Sequence, residues 1–117
     1  PASGSSVADA MVVCPCTMAT LASIACGTSE NLINRAADVI IKERKKLVLV
    51  PRETPFSSIH LGNMLKLSDL GVVILPPNPG FYQGVNTVSD LVDFVVARIL
   101  DQLDLPNEIS PRWAAKD

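Results

Sequence analysis

Three short apolar segments, each followed directly by a polar or proline-marked loop, constrain the fold of this chain more than any other feature. The segments lie at residues 11–14, 47–50 and 72–75, and helix-forming sequence separates them. Such an alternation favours parallel strands joined by right-handed crossovers. Because ligands of open parallel sheets lie outside the carboxyl ends of the strands, the three loops predict one shared pocket.

The first two predicted helices lie between the first and second strands. Thr17 is a candidate N-cap for a short helix that ends near residue 24. A longer helix is predicted over about residues 30–44, where apolar residues recur at helical spacing. Thr28 or Ser29 is the expected cap of this second helix.

Two further helices are predicted after the second and third strands. Thr54 before Pro55 has the pattern of an N-cap with proline at the first helical position, and this helix should extend to Asp69. Thr87 and Asp90 resemble a capping box, which predicts a last helix that ends near residue 103.

This order of elements predicts an α/β fold with a parallel sheet. Three strands form a narrow sheet, and strands that are apolar on both faces require helices on both sides and further neighbouring strands. We therefore expect residues 1–117 to be the C-terminal part of a single doubly wound domain, in which residues 106–117 form a polar tail.

The composition argues against several classes of partner. Charged residues make up 19% of the chain, the formal net charge is -2, and there is no basic stripe, so nucleic-acid binding is not expected. The apolar runs are far shorter than the roughly 20 residues that span a bilayer, so no membrane span is expected either.

The three cysteines, Cys14, Cys16 and Cys26, lack C-x-x-C spacing and companion histidines. This pattern argues against a zinc site or a disulfide framework and favours a cytoplasmic location. We expect each cysteine to be a small buried hydrophobic residue.

Common catalytic and nucleotide-binding motifs are missing from the sequence. There is no G-x-x-x-x-G-K-[ST], no G-x-G-x-x-G and no G-x-S-x-G. No paired aspartates have the spacing of Mg-dependent prenyl-diphosphate enzymes, so we expect no metal. The only histidine, His60, lies inside a predicted helix and is expected to be structural.

The remaining candidates for chemistry are groups that bind anions. Arg35 and Lys42 are seven residues apart, which places them on nearly the same face of a helix, although Lys42 could simply pair with Asp38. Arg52 and Glu53 leave the second strand together. Because Arg52 directly follows an apolar strand, we expect it to be buried beside a fixed partner.

Two more candidates come from the C-terminal third of the chain. Arg98 lies on the last predicted helix, and Tyr82, the only tyrosine, lies in a proline-glycine loop. Taken singly, each such cation is more often a solvated surface group than part of a binding site.

A series of short motifs gives these residues a common context. The most specific are Arg35-Ala-Ala-Asp-Val39, Val50-Pro-Arg-Glu-Thr-Pro55 and Phe81-Tyr82. Over nearly its whole length the chain resembles the UbiX-type flavin prenyltransferases. The resemblance implies a flavodoxin-like fold, bound FMN and a homododecameric assembly. It also implies transfer of a dimethylallyl group from dimethylallyl phosphate to FMN, and delivery of the prenylated FMN to a UbiD-type decarboxylase.

The resemblance also assigns residues to two groups of contacts. The residues that match FMN contacts are Ser3, Gly4, Thr17, Met18, Ala19, Thr20 and Arg52. The residues that match the surroundings of dimethylallyl phosphate are Arg35, Lys42, Glu53, Tyr82 and Arg98. Glu53 is the implied acid/base, and Lys42 and Arg98 are implied to stabilise charge on the phosphate leaving group. No metal is implied.

The chain departs from the family pattern in two ways. Many relatives have lysine at the position of Ala19, so one cation on the cofactor side is absent here. The family's N-terminal strand and glycine-containing phosphate loop have no counterpart in this sequence, and we expect them to lie upstream or on another chain. Two alternatives stay open: a flavin-dependent enzyme like the phosphopantothenoylcysteine decarboxylases, and a non-catalytic module for flavin binding or assembly.

Overall fold

The structure is a computed structural model that describes residues 8–78 and 87–109. The chain divides into two compact units, Pro1–Pro76 and Pro77–Asp117. The described elements of the first unit are β1 (Ala10–Cys16), α1 (Met18–Cys26), α2 (Leu32–Lys42), β2 (Lys46–Pro51), α3 (Ser58–Asp69) and β3 (Val73–Ile74). The second unit contains α4 (Val88–Gln102).

The three strands form a parallel sheet in the order β1-β2-β3. Val48 of β2 lies opposite both Val12 of β1 and Val73 of β3. Every residue of β2 after Lys46 is buried, as expected for a central parallel strand with both faces covered. The predicted α/β class with a parallel sheet is therefore confirmed.

The hydrophobic core of the first unit joins the sheet to the three helices α1, α2 and α3. Leu21 of α1, Ala37 of α2 and Leu67 of α3 are fully buried beside Leu47 and Leu49 of β2. Because these residues come from every layer of the unit, the core fixes where each strand ends. The ends of β1 and β2 therefore have defined positions relative to each other.

The first predicted helix cap is confirmed, and the second is wrong. Thr17 caps α1, but α2 begins after Asn31, whose Oδ1 accepts a hydrogen bond from the Asn34 N–H at 2.8 Å. Thr28 instead belongs to the end of α1, where its hydroxyl donates to the Ser23 carbonyl at 3.2 Å. That end requires a left-handed residue, which Gly27 supplies with φ 74°.

The cap of α3 also differs from the prediction at Thr54. Ser57 is the N-cap, and its hydroxyl oxygen accepts a hydrogen bond from the His60 N–H at 3.2 Å. His60 Nδ1 accepts one in return from the Ser57 N–H at 3.2 Å. This reciprocal pair satisfies two N–H groups at once, and it confirms a structural role for His60.

The predicted capping box of α4 is confirmed. Thr87 accepts a hydrogen bond from the Asp90 N–H, and Asp90 accepts one from the Thr87 N–H, both at 3.1 Å.

Among the residues that the structure describes, no helix has both the length and the apolar character that crossing a membrane requires.

The cysteines do not share one environment, contrary to the expectation that all three are buried. Cys16 is fully buried, whereas Cys14 and Cys26 are exposed. Cys14 lies where the pairing of β1 with β2 shifts register between Val13 and Cys16, and Cys26 is the last residue of α1. Both positions leave the regular packing of their element, so their side chains reach solvent.

Candidate functional site

The carboxyl end of β1 passes directly into a hydrogen-bonded turn at Thr17–Thr20. Thr17 Oγ1 accepts a hydrogen bond from the Thr20 N–H at 3.1 Å and donates its own hydrogen to Thr20 Oγ1 at 3.1 Å. Because the Thr17 hydrogen fills this contact, the Thr20 hydroxyl keeps its hydrogen for another acceptor. The turn therefore presents a donor at the edge of the sheet.

Glu53 connects the carboxyl end of β2 to the beginning of α1. Its Oε1 accepts a hydrogen bond from the Met18 N–H at 3.1 Å, across 35 residues of sequence. Met18 is the first residue of α1, where N–H groups lack helical partners and the helix dipole favours a negative charge. The loops after β1 and β2 therefore meet, as the sequence predicts, but this hydrogen bond was not predicted.

The residues of the Thr17–Thr20 turn differ in what they can offer a ligand. The Met18 side chain is only 5% exposed and belongs to the core, so this residue reaches the sheet edge through its backbone. Ala19 is exposed, and Thr17 and Thr20 are partly exposed. The accessible groups of the turn are therefore the two hydroxyls and the backbone around Ala19.

Arg52 lies beside Glu53 but is exposed, contrary to the expectation that it is buried with a fixed partner. The reason is that β2 ends at Pro51, so Arg52 lies beyond the covered part of the sheet. Glu53 is partly buried. The Glu53 carboxylate is hydrogen-bonded to Met18, whereas the neighbouring Arg52 guanidinium is exposed. Arg52 is therefore accessible to an anionic ligand at the carboxyl end of β2.

Cys16 lies immediately before the Thr17–Thr20 turn and is a buried thiol. Burial raises the pKa of the Cys16 thiol to about 11, and its Sγ donates to the Thr17 carbonyl at 3.5 Å. A thiol with this pKa stays protonated at neutral pH and is not a nucleophile. Its contribution is to packing under the turn.

Arg35 and Lys42 lie at different heights along α2. Arg35 is exposed in the N-terminal part of α2, and its Nε donates to the Ser29 carbonyl at 3.4 Å. Lys42 is exposed at the last position of the helix. A separation of seven residues corresponds to roughly 10 Å along the helix axis, so the two cations share a face but are far apart.

Lys42 and Glu53 lie near opposite ends of strand β2. Lys42 is followed after three residues by the first residue of β2, whereas Glu53 lies just beyond the last. The six residues of β2 span roughly 20 Å at about 3.3 Å per residue. One chain therefore does not bring these two predicted phosphate-site residues together.

The remaining predicted residues lie in the second unit or outside the described residues. Arg98 lies on α4, in the second unit, where its Nη1 is 3.7 Å from Oδ2 of Asp101. Ser3, Gly4 and Tyr82 lie outside the described residues. Their assignments to FMN and to dimethylallyl phosphate stay predictions.

Known proteins similar to this chain include two that are named flavin prenyltransferases. The chain is 66% identical over 113 residues to the flavin prenyltransferase UbiX of Pseudomonas aeruginosa, an alignment that covers 97% of this chain and 54% of the relative. It is 54% identical over 112 residues to the flavin prenyltransferase UbiX of Methanocaldococcus jannaschii, which covers 96% of this chain and 61% of the relative. The chain spans little more than half the length of these relatives.

A solved structure with the same fold is the dodecameric FMN-dependent UbiX-like decarboxylase from Escherichia coli O157:H7. It matches with a TM-score of 0.91 and 54% identity, over 96% of this chain and 60% of that one. This similarity confirms the flavodoxin-like class, and the similarity to UbiX proteins confirms the resemblance drawn from the motifs. The model of the family described as Flavoprotein matches residues 2–100. The chain therefore belongs to the Flavoprotein family.

Proposed function

We propose that this protein acts as a flavin prenyltransferase, which transfers a dimethylallyl group from dimethylallyl phosphate to FMN. The observation that carries the proposal is the hydrogen bond between Glu53 Oε1 and the Met18 N–H. This hydrogen bond supports the proposal because it joins Glu53, the acid/base that the resemblance implies, to the turn that the resemblance assigns to FMN. Relatives at 66% and 54% identity are named flavin prenyltransferases, which supports the same reading.

The proposed FMN contacts combine the Thr17–Thr20 turn with Arg52, and with Ser3 and Gly4 by resemblance. The Thr20 hydroxyl retains a hydrogen to donate, and the exposed Arg52 guanidinium can pair with an anion. A donor and a cation at the same sheet edge suit a ligand that carries both carbonyl groups and a phosphate. FMN has both.

The proposed chemistry would break the carbon–oxygen bond between the dimethylallyl group and its phosphate and form a bond from the freed allylic carbon to the flavin ring of FMN. Negative charge then grows on the leaving phosphate, which Lys42 and Arg98 would stabilise, with Tyr82 as a hydrogen-bond donor. Arg35, roughly 10 Å from Lys42 along α2, would contact another part of the donor. Glu53 would exchange a proton with the phosphate. None of these roles requires a metal ion.

A solved relative supports this pair of ligands. The structure of AnUbiX contains FMN and dimethylallyl pyrophosphate, and it matches this chain with a TM-score of 0.92 and 52% identity, over 96% of this chain and 60% of that one. Since that donor is a pyrophosphate, the choice between monophosphate and pyrophosphate needs a direct test.

The distance between Lys42 and Glu53 indicates how the site would be completed. If both residues contact one phosphate, they must come from different copies of the chain, because β2 separates them by roughly 20 Å within one copy. We therefore propose a homo-oligomer, as in the dodecameric E. coli relative. The product would pass to a UbiD-type decarboxylase.

The test is to incubate the purified protein with FMN, oxidised and reduced, and with dimethylallyl phosphate or dimethylallyl pyrophosphate. Mass spectrometry of the extracted flavin should show the mass of one added dimethylallyl group. Samples without donor and samples without protein are the controls. A protein that binds FMN but leaves its mass unchanged with both donors would contradict the proposal and favour a non-catalytic flavin-binding module.

A further inference from the structure

The outward face of α3 is apolar although the opposite face of the same helix already packs in the core. Met64 and Leu67 are the buried residues of α3, with 9% and 0% exposure. On the solvent side, Ile59, Leu61 and Leu65 are 75%, 52% and 64% exposed. A surface helix of a monomer normally has polar residues on its outer face, so these three residues indicate a partner.

Gly62 lies in the middle of this exposed face. A Cβ built at Gly62 meets nothing within 4 Å, so packing inside the chain does not require a glycine there. A glycine in a helix interior makes the helix less stable than an alanine would, by about 1 kcal/mol. A glycine among exposed apolar residues allows the backbone of another helix to approach closely. The reason is that the interaxial distance between two packed helices depends on the size of the side chains at their contact.

The spacing of the residues around Gly62 fits a second copy of the same helix. In an antiparallel pair that crosses at Gly62, Ile59 of one copy lies opposite Leu65 of the other, and Ser58 lies opposite Lys66. The two Lys66 ammonium groups stay apart, because each lies four residues, or roughly 6 Å, from the crossing point. The face is therefore complementary to itself, as a twofold interface requires.

We propose that the outward face of α3, formed by Ile59, Gly62 and Leu65, is a twofold interface with a second copy of this chain. The proposal rests on the homo-oligomer proposed above and names a surface that builds it. The dodecameric E. coli relative supports this occupant, since closed assemblies of twelve copies with tetrahedral or dihedral symmetry contain twofold axes.

Disulfide trapping tests the geometry of this interface. The two exposed native cysteines are first replaced, as Cys14→Ser and Cys26→Ser, and then Gly62→Cys or Lys66→Cys is introduced. Oxidation should give a covalent dimer of the Gly62→Cys protein, because the two positions meet on the axis. Lys66→Cys is the matched control, and its two copies lie roughly 12 Å apart along the axis, beyond the reach of a disulfide.

A charge placed in the interface gives a second measurement. Leu65→Asp should reduce the native mass of the oligomer by half or more in analytical ultracentrifugation. Ser68→Asp places the same charge on the exposed part of α3 roughly 120° around the axis from Gly62, and should leave the mass unchanged. Circular dichroism checks that both variants are folded.

The outcomes separate this proposal from the proposed reaction. A wild-type protein that sediments as a monomer, a Gly62→Cys protein that does not cross-link, or equal cross-linking of both cysteine variants would overturn the interface. The last two results would mean that another part of the protein or another partner covers α3. Failure to prenylate FMN by a protein that cross-links at Gly62→Cys would instead overturn the reaction and leave the interface standing.

Discussion

The helices α1 and α3 begin in the same way but differ in what else contacts their first turn. In each, a hydroxyl side chain accepts a hydrogen bond from the N–H three residues later, Thr17 for α1 and Ser57 for α3. The second contact at α3 is His60, from the same turn. The second contact at α1 is Glu53, from the end of another strand.

This difference separates a structural helix start from the one that we propose to take part in a reaction. The Ser57–His60 pair satisfies two N–H groups with residues that are three apart, and it requires nothing else of the fold. Glu53 reaches the Met18 N–H only because the sheet brings the ends of β1 and β2 together. A carboxylate held by tertiary structure at the edge of a parallel sheet is well placed to act on a ligand.

The largest effect is expected from Glu53→Gln. The glutamine carbonyl can still accept the hydrogen bond from the Met18 N–H, so FMN binding should be retained, but the side chain can no longer exchange a proton. Prenyl transfer should fall by roughly 10²- to 10⁴-fold, as for other positioned acid/base groups. Flavin titration and the rate of prenylated-flavin formation measure the two effects separately.

Glu53→Ala provides the matched comparison, because it removes both the hydrogen bond to the Met18 N–H and the carboxyl group that would exchange a proton. We expect it to weaken FMN binding in addition to transfer. Equal turnover of the wild type and Glu53→Gln would remove Glu53 from the chemistry and leave it only as a support for α1.

The same contrast explains what the sequence could predict. Thr17 as a cap and the Thr87–Asp90 box were predicted because their signals lie within three residues of each other. The cap at Thr54 was wrong because the following proline gave a local signal as strong as that of Ser57. Contacts between neighbouring residues can be read from a sequence only when one local pattern is clearly stronger than its competitors.

The site was predicted in part for a related reason. The rule that ligands bind at the carboxyl ends of parallel strands correctly placed Glu53 near the Thr17–Thr20 turn. It could not give the hydrogen bond to Met18, since that depends on the packing of the two loops. The motif resemblance grouped Lys42 with Glu53, whereas the structure separates them within one copy, because motifs do not record distances.

The second largest effect is expected on the free energy of unfolding at alkaline pH, because Cys16 is a buried thiol just before the first turn of α1. An ordinary cysteine has a pKa near 9.0, and burial raises that of Cys16 to about 11. The folded state therefore holds this proton more tightly than the unfolded state. The resulting stability is fully present below pH 9 and is lost as the pH rises from about 9 to about 11. Two pKa units correspond to roughly 3 kcal/mol.

Urea unfolding at pH 8 and at pH 11 measures this loss. Alkaline pH also affects other parts of the protein, so the informative quantity is the difference between the wild type and Cys16→Ala. The wild type should lose more stability than the variant. Parallel loss in the two proteins would show that the Cys16 thiol ionises without cost and is not enclosed as the structure describes.

Removing the two hydroxyl caps compares the two helix starts directly. Thr17→Ala and Ser57→Ala should each lower the free energy of unfolding by about 1 kcal/mol, the usual effect of losing an N-cap. Only Thr17→Ala should also weaken FMN binding, because the orientation of Thr20 depends on the Thr17 hydroxyl. Chemical denaturation and flavin titration are the measurements. Equal loss of FMN affinity in both variants would mean that the two starts are not functionally different.

The smallest effect is expected from His60→Ala, which removes the second half of the α3 capping box. The Ser57 N–H loses its partner at Nδ1 but can bind water instead, because Ser57 is exposed. The free energy of unfolding should therefore fall by about 0.5 to 1 kcal/mol, the net value of a typical hydrogen bond. FMN affinity and the rate of prenyl transfer should match the wild type. A large loss of transfer in a folded His60→Ala protein would make this histidine part of the site, and the contrast between a structural start at α3 and a functional one at α1 would fail.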